Sequence, residues 1–147
     1  MGSRLTALLA AFALPAAAEV VVSDAWVRGT VPQQMATGAY MQLRAGSDAR
    51  VVEVRSPVAG IAEIHQMSLV EGRMTMRAIA ALDLPAGKLV ELKPGGFHIM
   101  LMDLKRPLAE GESVPISLVV ENADRSRSVL DVRAAVRPLT AGPAAPR

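Results

Sequence analysis

Residues 95–102 read Gly95-Gly96-Phe97-His98-Ile99-Met100-Leu101-Met102, and their reading decides the fold. As a β-strand the stretch alternates: Phe97, Ile99 and Leu101 point to one face, His98, Met100 and Met102 to the other. The first face is an ordinary aliphatic core face. The second carries an imidazole and two thioethers in a row. The chain has two histidines. The other, His65, lies in Ile64-His65-Gln66-Met67, so each histidine is followed two residues later by a methionine. That repetition points to a site for a soft metal.

Working outward, residues 61–70 and 73–80 read as two strands with Glu71-Gly72 between them, the signature of a tight hairpin. A two-residue loop there sets Val70 opposite Arg73, Leu69 opposite Met74 and Met67 opposite Met76. His65, Met67, Leu69, Met74 and Met76 then share a face. His65 becomes a diagonal neighbour of Met76, roughly 7–8 Å away between backbones, a gap that two long side chains can close around an ion. A slip of one residue would destroy the arrangement. Further strands are expected at 19–28, 36–44, 50–55, 89–92, 97–104, 114–121 and 128–136, rich in β-branched residues and bounded by Gly, Pro, Asn and Asp. Residues 82–88 read as a Pro/Gly-punctuated connection. No long segment has a 3.6-residue period. The pattern predicts an all-β domain, an antiparallel β-sandwich or barrel of seven to nine strands. Trp26, Met35 and Met41 are expected in the core.

Composition agrees. The 147 residues suffice for one domain, 51% are apolar, and only 3% are aromatic, so the core is aliphatic. Cysteine is absent, which excludes disulfides, thiolate zinc sites and thiol catalysis. A formal charge of +2, scattered basic residues and few stacking rings argue against nucleic-acid binding. Residues 1–18 read as an export signal: a short basic start, an apolar run over 5–14, and Ala16-Ala17-Ala18 at the cleavage site. The run is too short to span a bilayer, and no cysteine follows it to carry a lipid. The expected product is a soluble, exported, monomeric protein in the periplasm. It comprises a domain over 19–137 and a disordered Pro/Ala/Gly-rich tail over 138–147.

Imidazole suits copper, and thioether sulfur favours its monovalent form. A blue-copper centre needs a thiolate and is excluded. No carboxylate is expected within the His/Met stripes, so hard cations have little to hold there. Methionine at strand spacing is commonly core filling, and Met67, Met74 and Met102 are assigned core or supporting roles. His65, Met76, His98 and Met100 are the candidate ligands.

These residues carry a resemblance. His65 and Met76 are separated by residues 66–75, Met76 and His98 by residues 77–97, and His98 and Met100 by Ile99 alone. The pattern resembles the signature of the periplasmic copper chaperones called PCu(A)C. The flanks Asp24-Ala25-Trp26, Gly38-Ala39-Tyr40 and Pro94-Gly95-Gly96-Phe97 are similar too. The resemblance covers residues 20–136. It implies a cupredoxin-like barrel that binds one Cu(I) near its surface. It further implies delivery of copper to respiratory oxidases, typically the copper A site in the copper-containing subunit of cytochrome c oxidase, or to Sco-type copper proteins. The His- and Met-rich C-terminal extension of some members has no counterpart here. The leading expectation is therefore a metallochaperone and not an enzyme, since no acid, base or redox partner accompanies the histidines. The alternatives are copper storage or resistance without a dedicated acceptor, and a metal-free adhesion sandwich.

Overall fold

A computed structural model describes residues 19–140. The export segment expected at 1–18, and residues 141–147 of the expected tail, lie outside them. Ten strands follow in chain order: β1 (Val20–Arg28), β2 (Ala36–Ala45), β3 (Ala49–Arg55), β4 (Ala59–Val70), β5 (Arg73–Ile79), β6 (Leu82–Leu84), β7 (Leu89–Leu92), β8 (Phe97–Leu104), β9 (Ser113–Asn122) and β10 (Arg127–Arg137). They form one sheet in the order β5-β4-β8-β7-β2-β1-β10-β9-β3-β6. β3 and β4 are consecutive in sequence yet lie near opposite ends of that order. Val51 and Val54 of β3 nevertheless share a core with Ile64 of β4, Ile99 and Leu101 of β8, and Ile116 and Leu118 of β9. The sheet therefore rolls over on itself and encloses an aliphatic interior, the all-β class expected.

Two features go beyond the expectation. The sheet is mixed: β1 runs parallel to β10 and β7 parallel to β8, while the remaining pairs are antiparallel. A tenth strand, β6, lies within what reads as a connection. Leu82 and Leu84 are buried and Asp83 is exposed. Three residues are too few to show a period, and only pairing with Ala49–Val51 of β3 makes them a strand.

The alternation of β8 is as read. Ile99 and Leu101 are fully buried, each contributing about 1.5–3 kcal/mol by burial, while His98, Met100 and Met102 occupy the opposite face. Met41 lies in the core as expected. Met35 does not: it is 55% exposed, because β2 begins at Ala36 and the alternation that buries Met41 does not reach back to it. Trp26 is buried, but outside the aliphatic cluster. It stacks on Tyr40 of β2 with ring centroids 4.5 Å apart, on the face that carries the histidines.

Candidate metal centre

The β4–β5 hairpin has the register that its turn chemistry predicts. Glu71 and Gly72 take φ of +50° and +76°, the left-handed conformations of a two-residue hairpin loop. Val70 pairs with Arg73, Leu69 with Met74 and Met67 with Met76. On its other side β4 pairs with β8 so that His65 stands directly opposite His98. The two imidazole centroids are 5.8 Å apart. The row continues through His98 to Tyr40 at 6.4 Å and on to Trp26, four rings from four neighbouring strands.

His98 is oriented from the turn that precedes it. Gly95 takes φ +83°, and the carbonyl of Gly96 accepts both Met67 N–H and His98 Nδ1–H, each at 3.2 Å. With Nδ1 donating, Nε2 carries the lone pair. It faces Met76 Sδ at 3.0 Å. Burial holds the His98 pKa below the ordinary histidine value, assisted by neighbouring His65 and opposed by the Gly96 hydrogen bond. The ring is therefore a neutral donor at neutral pH, the form that a metal requires.

His65 is positioned by a residue the sequence reading passes over. Its Nε2 lies 2.8 Å from Glu63 Oε2. Glu63 and His65 are two residues apart on one strand, hence on one face. The expectation of no carboxylate within the stripes is thus corrected: period-two alternation on β4 runs backward from His65 to Glu63 as well as forward to Met67. With Nε2–H donating to Glu63, Nδ1 is left buried without a hydrogen-bond partner. A carboxylate on one ring nitrogen and a free second nitrogen is the usual setting of a metal-ligating histidine.

Met76, His98, Met100 and Met67 line one open cavity of ≈350 Å³, with Arg28, Thr37, Gly38 and Tyr40 on its other side. His65 packs behind His98 and is 8% exposed, whereas Met76 on the edge strand is 47% exposed. Met74 and Met102 share the face without lining this cavity. The donors brought together are two imidazoles and soft sulfurs. Among the described residues no three side chains drawn from His, Cys, Asp and Glu converge as a metal site. That donor set fits Cu(I) and does not fit a hard cation.

Comparison with known proteins gives the family and the fold. A family model described as "Putative lipoprotein LpqE-like" matches residues 20–132. The chain belongs to the LpqE-like family. "Putative lipoprotein Lxx21020" of Leifsonia xyli subsp. xyli (strain CTCB07) is 32% identical over 115 residues, covering 78% of this chain and 69% of that one. Among solved structures, the apo PCuAC domain of PmoF2 superposes with a TM-score of 0.70 at 22% identity, covering 88% of this chain and 98% of its own. The solution structure of CuI-DR1885 from Deinococcus radiodurans has a TM-score of 0.60 at 31% identity, covering 86% and 81%. This LpqE-like chain therefore has the cupredoxin-like β fold of PCuAC domains.

Proposed function

We propose that the protein binds one Cu(I) through His65, Met76, His98 and Met100 and passes it on as a metallochaperone. The observation that carries the reading is the pair of donor atoms His98 Nε2 and Met76 Sδ facing each other at 3.0 Å, with His65, whose ring neighbours that of His98, keeping a buried and unpartnered Nδ1. Neutral imidazole and thioether leave the charge on the metal uncompensated, which favours the monovalent ion. The exposed Met76 gives a partner's ligands a place to enter, so that they can replace one donor at a time. The likeness to DR1885, solved in a CuI form over most of its length, supports copper as the cargo. Export is supported by the lipoprotein descriptions of the family and of the Leifsonia relative, and the compartment we assign is the periplasm. The acceptor we assign is a respiratory oxidase copper centre, the copper A site of cytochrome c oxidase, directly or through a Sco-type protein.

The test is anaerobic titration of residues 19–147 with Cu(I) against a competing chelator, followed by X-ray absorption. One equivalent held by mixed sulfur and nitrogen ligands is expected, with zinc bound weakly. Stoichiometric zinc that copper cannot displace would overturn the reading. Mixing the loaded protein with a copper A fragment or a Sco-type protein then separates delivery from storage: retention of the metal against both would leave storage.

A further inference from the structure

The cavity has a second end that copper ligation does not use. Arg28, the last residue of β1, lines it together with Met76, His98 and Met100. Val27 pairs with Ala39, and Gly38, one residue before Ala39, pairs with Met100 of β8, which in turn pairs with Glu63 of β4. Arg28, Gly38, Met100 and Glu63 therefore form one row across four strands. With neighbouring strands about 4.8 Å apart, the backbones of Arg28 and Met100 flank Gly38 at a separation of about 10 Å. Gly38 supplies no side chain, and a Cβ there would collide with the Tyr40 hydroxyl. The space over Gly38, between Arg28 and Met100, is thus taken by the Tyr40 hydroxyl, which only glycine at the middle of the row admits.

The Arg28 guanidinium lies over the Tyr40 ring, 5.7 Å from its centroid. Its Nε is buried and has no hydrogen-bond partner. Arg137, the register neighbour of Arg28 on β10, is different. It lies over Trp26 at 4.9 Å, but its guanidinium also pairs with Asp24 at 2.6 Å. Arg50, Arg55, Arg106 and Arg127 likewise each face a carboxylate. Glu63, the carboxylate in the row of Arg28, is engaged by His65. Arg28 thus brings a fixed cation to the cavity that collects the soft donors, and its Nε–H is buried without a hydrogen-bond partner. Its planar fork matches a carboxylate. A copper ion held there by neutral donors would add a second positive charge close by.

We propose that Arg28 forms the anion-receiving end of this cavity and takes a carboxylate beside the metal. The part of the proposal that involves copper rests on the reading above. The carboxylate is either a free monocarboxylate or an acidic side chain on the protein that exchanges copper. In both cases binding of anion and metal is reciprocal: the carboxylate tightens copper, copper tightens the carboxylate, and withdrawing the anion loosens the metal.

The experiment follows the Arg28 Nε–Hε resonance of the apo protein during titration with acetate against chloride at constant ionic strength. A saturable shift confined to Arg28 and its cavity neighbours is expected, and the neighbours' shift should be lost in Arg28→Gln. Cu(I) affinity is then measured by chelator competition. Acetate should raise it several-fold in the parent and leave Arg28→Gln unchanged. Without acetate, Arg28→Gln should bind Cu(I) several-fold more tightly than the parent, an effect in the opposite direction to that of mere structural damage. Arg28→Lys keeps the charge and loses the fork, so it should show neither the tightening nor the full acetate response. Capped Met-Gly-Glu and Met-Gly-Gln peptides distinguish the two sources. A Glu peptide that acts well below the acetate concentration assigns the carboxylate to a protein partner, and equal potency assigns it to a free anion. The proposal is overturned if neither acetate nor the Glu peptide shifts Arg28 saturably, or if the shift of its cavity neighbours persists in Arg28→Gln. Failure of Cu(I) binding with the Arg28 shift intact would count against the copper reading alone.

Discussion

Replacing Met76 by leucine separates metal ligation from packing more sharply than any other single change. Met76 sits on edge strand β5, is 47% exposed, and places Sδ 3.0 Å from His98 Nε2. Leucine keeps the apolar bulk and removes the sulfur. Volume-conserving apolar exchanges cost under about 1.5 kcal/mol even in a core, and at a half-exposed site the cost should fall within about 0.5 kcal/mol. The β4–β5 register is set by Glu71-Gly72 and by backbone pairing, so it should survive. Cu(I) affinity, in contrast, loses one of four donors and should fall at least tenfold, about 1.4 kcal/mol or more. Urea denaturation of the apo protein measures the first quantity, and anaerobic chelator competition the second. Met74→Leu is the control. Met74 shares the strand and face and is 56% exposed, but it does not line the cavity, so it should change neither quantity. Parent-like Cu(I) binding by Met76→Leu, within twofold, would refute the assignment of the sulfur facing His98 as a ligand.

Glu63→Ala should lower Cu(I) affinity about tenfold, the usual cost of removing the carboxylate behind a ligating histidine. It should cost about 1 kcal/mol of stability, because Glu63 is partly exposed and its bond to His65 is screened; the same two assays read both effects. Because burial lowers the His98 pKa, the unfolded chain takes up that proton first. The contribution of His98 to stability is therefore fully present above the ordinary value of 6.5 and is lost as pH falls below it toward the folded-state pKa. Urea midpoints of the apo protein at pH 7.5 and 5.5 should differ in that direction, and less so in His98→Gln. Gly38→Ala drives a Cβ into the Tyr40 hydroxyl and ring, an overpacking that should cost about 1–3 kcal/mol. It should also disturb the fluorescence of Trp26, which stacks on Tyr40.

What was legible in the sequence was local. Period-two alternation places His98, Met100 and Met102 on one face of β8. Glu71-Gly72 dictates the loop, and with it every pair of the β4–β5 hairpin. Both follow from backbone geometry acting over a few residues, and the recurrence of His-x-Met needs no knowledge of the fold. The tertiary structure decided which strands became neighbours. His65 faces His98 only because β4 lies beside β8, thirty-three positions away in sequence, in one particular register. Nothing within either strand specifies that partner. The same pairing makes Glu63 a neighbour of Met100, and the pairing of β2 with β1 and β8 gathers Arg28, Gly38 and Tyr40 around the same opening. Side chains from five strands meet there because the rolled sheet buries its aliphatic face as one core. That burial fixes the strand order, and the strand order fixes which polar residues share a row on the outer face.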